Sequence, residues 1–216
     1  MNTKERLLAH IDAHDGPEGI SEEALAETER LIAELRPQTA VPAPMDSLED
    51  VEGRWETLFA YFGAKHSAGK PKVHDSNLKV HSFNCFPPVP VRITRICQEI
   101  ARDGAAYNNV VEFTAADGHT RGVIIVHGRF RDEPDNRQRF GVDFHAVELR
   151  PATGVTETEL RTALGFTAGE SLLEQLKPPR LHSDVVYLDR DMRINVGSFG
   201  GFYVLRRLDE PSVSVA

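Results

Sequence analysis

The fold is decided near the end of the chain, by Val185-Val-Tyr-Leu-Asp-Arg-Asp-Met-Arg-Ile-Asn-Val-Gly-Ser-Phe-Gly-Gly-Phe-Tyr-Val-Leu205. This stretch predicts a strand, a turn carrying two acids and an arginine, a short second strand, a glycine turn and a closing strand. A second feature, Gly53-Arg-Trp55, opens a run of alternating large side chains. A glycine-x-tryptophan opening and a strand-turn-strand ending together indicate a small β-barrel, and such barrels usually enclose something apolar.

Between these two ends, alternation of apolar and polar residues predicts further antiparallel strands. Asp103-Gly104 and Asp117-Gly118 are tight-turn dipeptides that join neighbouring runs as hairpins. Residues 91–101 also fit a helical period, whereas residues 63–77 are polar and are predicted to form a loop at the barrel rim. The candidate strands are 53–62, 78–83, 91–101, 106–115, 120–130, 138–149, 183–189, 192–196 and 201–208.

Helical periodicity appears before the barrel and again ahead of its last strands. A short helix is predicted near the start, and Ser21 is placed to cap a longer one that ends before Pro37. Thr156-Glu-Thr-Glu159 is a capping-box pattern that predicts a helix over 157–164. A further helical turn is predicted over about 168–176.

These elements suggest three parts along the chain. Residues 1–52 are predicted to hold the N-terminal helices and a proline-rich linker, and residues 53–208 the barrel domain. Residues 209–216 carry nothing to bury and are predicted to be a disordered tail.

The composition favours a soluble globular protein with an acidic surface. The 216 residues carry a formal net charge of −8, and the pI is near 5.6. This balance argues against a nucleic-acid partner, because phosphate binding needs a basic face, and against purely electrostatic docking on anionic lipid. No apolar run approaches the length of a transmembrane segment or a signal peptide, so a cytoplasmic location is expected. A peripheral contact with lipid and the oligomeric state stay open.

No catalytic motif is present in the sequence: there is no glycine-flanked serine, no phosphate loop and no His-Glu-x-x-His. We therefore assign no catalytic residue, no metal ligand and no cofactor. His10 and His14 are spaced for a metal on one helix, but no third ligand is near, and a solvated helix face is the simpler interpretation. Cys85 and Cys97 lie in strand-like, apolar surroundings, so reduced and slow-reacting thiols are expected.

Asp189 and Asp191 alternate onto the same side of an extended chain, and Arg193 follows two residues later. Two carboxylates there could form an acid/base pair. The simpler interpretation is a structural turn, in which aspartate accepts backbone N–H groups and Arg193 pairs with either carboxylate. His127 and His145 leave another alternative open, since an imidazole inside a barrel could hold a haem.

Aromatic side chains recur along the predicted strands. In a barrel the core and the ligand pocket share one surface, so these side chains are candidates for both. Trp55 is predicted at the closed end, under Arg206 or Arg207, because the first and last strands meet there and an indole face attracts a guanidinium. The candidate ligand-binding residues are Trp55, Phe59, Tyr61, Phe113, Phe130, Phe144, Tyr187, Asp189, Asp191, Arg193 and Tyr203.

The same stretches carry a family resemblance. Tyr187-Leu-Asp-Arg-Asp-Met-Arg-Ile194, with the glycine turn and Phe202-Tyr-Val-Leu205 after it, resembles the C-terminal pattern of the plastid lipid-associated protein (fibrillin) family. Gly53-Arg-Trp-Glu-Thr-Leu-Phe59 resembles the family's Gly-x-Trp opening, and the helix at 21–36 resembles its leading helix. Asn195 departs from the pattern that follows Arg-Ile in the family.

The resemblance covers about residues 20–208 and implies a mainly β fold. The fold that it implies is a lipocalin-like antiparallel barrel with N-terminal helices and, over 155–177, a short helical insertion before the last strands. The implied function is non-catalytic binding of a hydrophobic small molecule such as a lipid, isoprenoid or quinone, so no enzyme activity is expected. The family's C-terminal acids match Asp189 and Asp191, with Arg193 as their partner. Since no plastid transit peptide is recognisable, a bacterial member is expected.

Two rival hypotheses remain beside this one. The first is a haem or tetrapyrrole carrier that uses His127 or His145. The second is a barrel isomerase or cyclase that uses Asp189 and Asp191 as acid and base.

Overall fold

A computed structural model describes residues 1–14, 20–61, 75–101, 105–177 and 180–214. Its helices are α1 (Thr3–Ala13), α2 (Glu22–Leu35), α3 (Leu48–Val51), α4 (Leu78–His81) and α5 (Glu157–Leu164). Its strands are β1 (Gly53–Tyr61), β2 (Asp75–Asn77), β3 (Pro90–Ala101), β4 (Ala106–Ala115), β5 (Arg121–Asp132), β6 (Arg139–Pro151), β7 (Leu173–Gln175), β8 (Leu181–Leu188), β9 (Met192–Gly197) and β10 (Phe202–Leu208). Among the helices so described, none has both the length and the apolar character needed to span a bilayer.

The fold is mainly β, as the sequence predicts. The described strands form one antiparallel sheet in the order β1-β10-β9-β8-β6-β5-β4-β3-β2, with β7 paired to β6. A further pairing of β1 with β3 closes eight of these strands into a barrel.

Within the chain, two compact units are distinguished: a first unit from residues 1–72, 131–141 and 181–209, and a second unit from residues 73–130, 142–180 and 210–216.

Local signals in the sequence fix several element ends. The Ser21 hydroxyl accepts a hydrogen bond from the backbone N–H three residues on and begins α2. Thr156 and Glu159 form the predicted capping box at the start of α5. Asp117 accepts backbone N–H bonds from the two residues after Gly118, whose φ of +79° suits glycine, and this turn joins β4 to β5.

The core of the first unit lies under α1 and α2. An 11-residue helix such as α1 is too short to be stable alone, so its stability comes from packing. Each leucine or isoleucine that α1 and α2 bury contributes roughly 1.5–3 kcal/mol. The buried cluster comprises Leu7, Ile11, Leu31, Ile32, Leu35, Phe59, Val186, Tyr187, Met192, Ile194, Phe202 and Val204.

In the second unit, residues 210–214 of the predicted tail lie against β3 and β4. The buried Glu99 carboxylate accepts hydrogen bonds from Ser212 and from the backbone N–H groups of Val213 (2.9 Å) and Ser214 (2.8 Å). Asn108 Nδ2 donates to Ser214 Oγ at 2.9 Å. Burial alone would raise the pKa of Glu99, but the hydrogen bonds that its carboxylate accepts from Ser212, Val213 and Ser214 together lower it. The tail is thus held by polar contacts that a search for apolar residues does not reveal.

Two short segments differ from the sequence predictions. Residues 78–83, predicted as a strand, contain α4, because Asn77 Oδ1 accepts a hydrogen bond from a backbone N–H three residues on and caps a helical turn. Residues 168–176, predicted as a helical turn, contain β7 instead. Both segments are too short for periodicity to separate helix from strand. The predicted rim loop at 63–77 lies outside the described residues as far as residue 74, and β2 forms its end.

Candidate functional site

Strands β1, β10, β9 and β8 of the first unit present two faces, and the strand register assigns each side chain to one of them. Directly paired residues of antiparallel strands project to the same side of a sheet. The side turned away from α1 and α2 is called the inner face here. It carries Trp55, Thr57, Ala60, Val185, Leu188, Arg193, Asn195, Tyr203, Leu205 and Arg207.

The opposite face is covered by the helices and holds three of the candidate ligand contacts. Phe59 and Tyr187 belong to the buried cluster under α1 and α2, and Tyr61 packs against that cluster. The register of β1 shifts between Thr57 and Phe59, and that of β8 shifts just before Tyr187. Each shift inserts one extra residue and turns the following side chain to the other face. Simple alternation from Trp55 had placed Phe59 and Tyr61 on the same face as the tryptophan.

Trp55 lies fully buried on the inner face, in contact with two arginines. The Cζ atoms of Arg207 and Arg193 lie 4.3 Å and 4.7 Å from the indole centroid, within the range of cation–π attraction. The indole Nε1 donates to the carbonyl of Val51 at 2.9 Å. The prediction that Arg206 or Arg207 covers the tryptophan is confirmed for Arg207.

Asp189 forms the turn between β8 and β9. Its Oδ1 accepts backbone N–H bonds from Asp191 and Met192, both at 2.8 Å. Its Oδ2 accepts from Lys4 Nζ at 2.7 Å and from the Tyr187 hydroxyl at 2.6 Å. Burial by itself would raise the pKa of Asp189, but these four donors hold it below its ordinary value. The carboxylate is therefore a structural acceptor that stays ionised.

The predicted ion pair between Arg193 and these acids is wrong. The Arg193 guanidinium is buried over Trp55, with Nη1 3.5 Å from the Val51 carbonyl. Asp191 is exposed and lies 3.9 Å from Arg190. The pairing fails because Arg193 projects to the inner face, whereas the Asp189 carboxylate meets Lys4 of α1.

Asn195 is one of the inner-face residues that are absent from the candidates predicted from the sequence. It is completely buried, and within the described part of the chain neither its Nδ2 nor its Oδ1 has a hydrogen-bond partner. Tyr203 lies directly opposite on β10, and burial raises the pKa of its phenol. The signal available in the sequence was the position of Asn195 two residues after Arg193 in a strand, which places both side chains on one face.

The candidate aromatics of the second unit pack within its own core. Phe113 is almost fully buried, and a Cβ atom on Gly122 would lie 2.4 Å from its ring, so this close approach requires glycine. The Phe144 ring lies 5.7 Å from that of Phe83 and 6.2 Å from that of Tyr107. Phe130 is half-buried at the far end of β5.

The histidines His127 and His145 and the two cysteines were considered as haem ligands or reactive thiols. His127 Nε2 lies 2.8 Å from a Glu148 carboxylate oxygen, and His145 is exposed. Among the described residues, no cluster of three or more histidine, cysteine or acidic side chains could hold a metal ion. Cys97 is fully buried in β3, whereas Cys85 is half-buried and lies outside the strands. Burial, and to a smaller extent the charge of Glu174, raises the pKa of Cys85.

Comparison with known proteins identifies the family. The PAP_fibrillin family model matches residues 1–206 of this chain. The chain belongs to the PAP_fibrillin family. This confirms the resemblance seen at the two ends of the sequence.

A curated relative in this family is the chromoplast-specific carotenoid-associated protein, chromoplastic, of Cucumis sativus. It is 24% identical over 217 residues, which cover 86% of this chain and 61% of the relative. The chain therefore spans about three fifths of the length of that relative. No solved structure matches the chain.

Proposed function

We propose that this PAP_fibrillin protein binds a hydrophobic small molecule, such as a lipid, isoprenoid or quinone, and does not convert it chemically. One observation carries the proposal: the chain forms an antiparallel barrel and belongs to a family with a relative named for its association with carotenoids. On this proposal the barrel holds its ligand in the manner of a lipocalin. The aliphatic residues Val185, Leu188 and Leu205 of the inner face are its apolar contacts.

The energetics of apolar burial support binding without an elaborate polar site. Removing apolar surface from water gains roughly 25 cal/mol per Å², so burial of about 200 Å² of ligand contributes about 5 kcal/mol. A few fixed polar groups then suffice to orient the molecule. The inner face has this composition, with aliphatic side chains around Trp55, Arg193 and Asn195.

The contacts of the candidate acids and histidines support a non-catalytic role. Asp189 is fully used as the acceptor of the β8–β9 turn, and Asp191 points to solvent. An acid/base pair needs two carboxylates with access to one reacting atom. His127 is already bonded to Glu148, so the haem alternative gains no support from the structure.

The proposal is tested with purified protein in two measurements. An organic extract analysed by mass spectrometry should contain an apolar compound that co-purifies with the protein. In a titration with retinol, whose absorption overlaps tryptophan emission, the fluorescence of Trp55 should be quenched in a saturable manner, because Trp55 is the single tryptophan. The Trp55→Phe variant controls for the origin of the signal. An empty extract together with a flat titration would refute the proposal.

A further inference from the structure

The buried amide of Asn195 has a hydrogen-bonding capacity that the described protein does not use. Its side chain is 0% exposed, and neither amide atom has a partner among the described residues. More than about nine in ten buried polar atoms in native proteins are paired, so each exception needs a cause. Leaving an amide unpaired in the interior destabilises the folded protein.

A second buried asparagine shows how this chain satisfies an amide that serves only structure. Asn108 is 5% exposed, its Nδ2 donates to Ser214 Oγ at 2.9 Å, and its Oδ1 accepts from the backbone N–H of Gly128 at 3.2 Å. Asn195 has no comparable contacts, although it is paired with a residue on each of the two neighbouring strands. The two residues therefore differ in hydrogen bonding and not in burial.

Most neighbours of Asn195 on the inner face are apolar or aromatic. The directly paired residues are Val185 on β8 and Tyr203 on β10. The adjacent inner-face positions on β9 are Gly197, which has no side chain, and Arg193, whose guanidinium lies over the Trp55 ring. The amide is thus a polar group within a mainly apolar surface, the arrangement by which a binding site fixes one end of an apolar ligand.

We propose that Asn195 binds the oxygen-bearing end group of an otherwise apolar ligand, and this proposal rests on the function proposed above. The Nδ2 group donates to a hydroxyl or carbonyl oxygen, and Oδ1 accepts from a hydroxyl hydrogen. A hydroxyl can therefore engage either atom, a carbonyl engages Nδ2 alone, and a pure hydrocarbon leaves both unpaired. The ligand class is an isoprenoid-like or lipid-like alcohol or ketone in preference to a hydrocarbon.

The test compares three polyenes that differ at one end: retinol, retinal, and axerophthene, in which hydrogen replaces the hydroxyl group of retinol. Binding is followed by quenching of Trp55 fluorescence. Wild-type protein should bind retinol about tenfold more tightly than axerophthene, since a site that pairs a polar group loses about this factor when the partner is missing. Asn195→Leu, which keeps the branched side-chain outline without the polar atoms, should bind both about equally.

Thermal melts of the ligand-free variants separate a binding role from a structural one. Asn195→Leu should melt at or above the wild-type temperature, because it removes two unpaired atoms. The matched control Asn108→Leu breaks two hydrogen bonds, so it should melt roughly 2–8 °C lower and keep the preference for retinol.

Each other outcome has a definite meaning. If axerophthene and retinol bind equally to the wild type, the proposal for Asn195 fails and the proposed function stands. If no polyene binds and the organic extract is also empty, both fail. If Asn195→Leu does not fold or melts as low as Asn108→Leu, the amide holds a structural water, and the proposal is overturned.

Discussion

Replacing Trp55 by alanine tests the packing of the inner face directly. The side chain is 0% exposed, so its truncation should cost about 3–5 kcal/mol, the range for a large aromatic residue in a core. Within that sum, the indole hydrogen bond to the Val51 carbonyl contributes about 1 kcal/mol. Each arginine over the ring contributes about 0.5–2 kcal/mol.

Trp55→Phe separates these contributions. Phenylalanine keeps an aromatic face for Arg193 and Arg207 but loses the N–H donor and part of the ring volume, so about 1–2 kcal/mol is expected. For a chain of 216 residues, 1 kcal/mol corresponds to about 2–4 °C in melting temperature. Alanine should therefore lower the melting temperature by about 10 °C, and phenylalanine by about 4 °C.

The assay is a thermal melt followed by circular dichroism, with Phe199→Ala as the matched control. Phe199 is 50% exposed, and truncating such an aromatic should change stability by less than about 0.5 kcal/mol. If Trp55→Ala melted like the wild type, the buried placement would be refuted. If phenylalanine cost as much as alanine, the contacts with the two arginines would contribute nothing.

Three further predictions follow from polar contacts and thiols. Because the folded-state pKa of Asp189 is lowered, its contribution is complete above the unfolded value of about 4 and is lost as the pH falls through the folded value. Asp189→Asn should therefore cost about 1–2 kcal/mol in urea denaturation at pH 7, and this cost should shrink as the pH is lowered below about 4; a cost that does not change with pH would contradict the ionic role. Glu99→Ala should release the C-terminal residues, seen as faster hydrogen exchange at Ser214, whereas unchanged exchange would show that the other contacts suffice. A thiol reagent should label the half-buried Cys85 well before the buried Cys97, and equal rates would contradict the burial of β3.

Several features of the fold could be predicted because a local signal determines them. The capping box at Thr156 and the turn at Asp189 depend on side chains bonding to backbone groups a few residues away. The contact of Trp55 with Arg207 follows from the antiparallel pairing of first and last strands in a closed barrel. The capping box and the Asp189 turn need no distant residue, and the Trp55–Arg207 contact needs only the pairing of the first and last strands.

Other features depend on register and tertiary contacts, which the sequence pattern does not show. The bulges in β1 and β8 moved Phe59 and Tyr187 to the helix side, because one extra residue reverses the alternation. The pairing of Arg193 was mispredicted for a related reason, since Lys4 reaches Asp189 from a helix distant in sequence. The contacts around Glu99 involve a tail more than 100 residues away and were equally hidden.

The bulge in β1 divides one nine-residue strand into two functional halves. Before the bulge, Trp55 and Thr57 belong to the inner face, where a guest molecule is proposed to lie. After it, Phe59 and Tyr61 pack against the cluster under the helices. Leu58 has no partner in the register and marks the point at which the side chains of β1 change faces. Deleting Leu58 would leave Thr57 and Phe59 adjacent and still opposite Leu205 and Val204, so Phe59 and Tyr61 would keep facing the helices. Pairing β1 regularly with Leu58 retained would instead turn Phe59 and Tyr61 inward, away from α1 and α2. Substitutions of Trp55 or Thr57 should therefore be tolerated according to their effect on the inner face, and substitutions of Phe59 or Tyr61 according to their effect on the packing of α1 and α2.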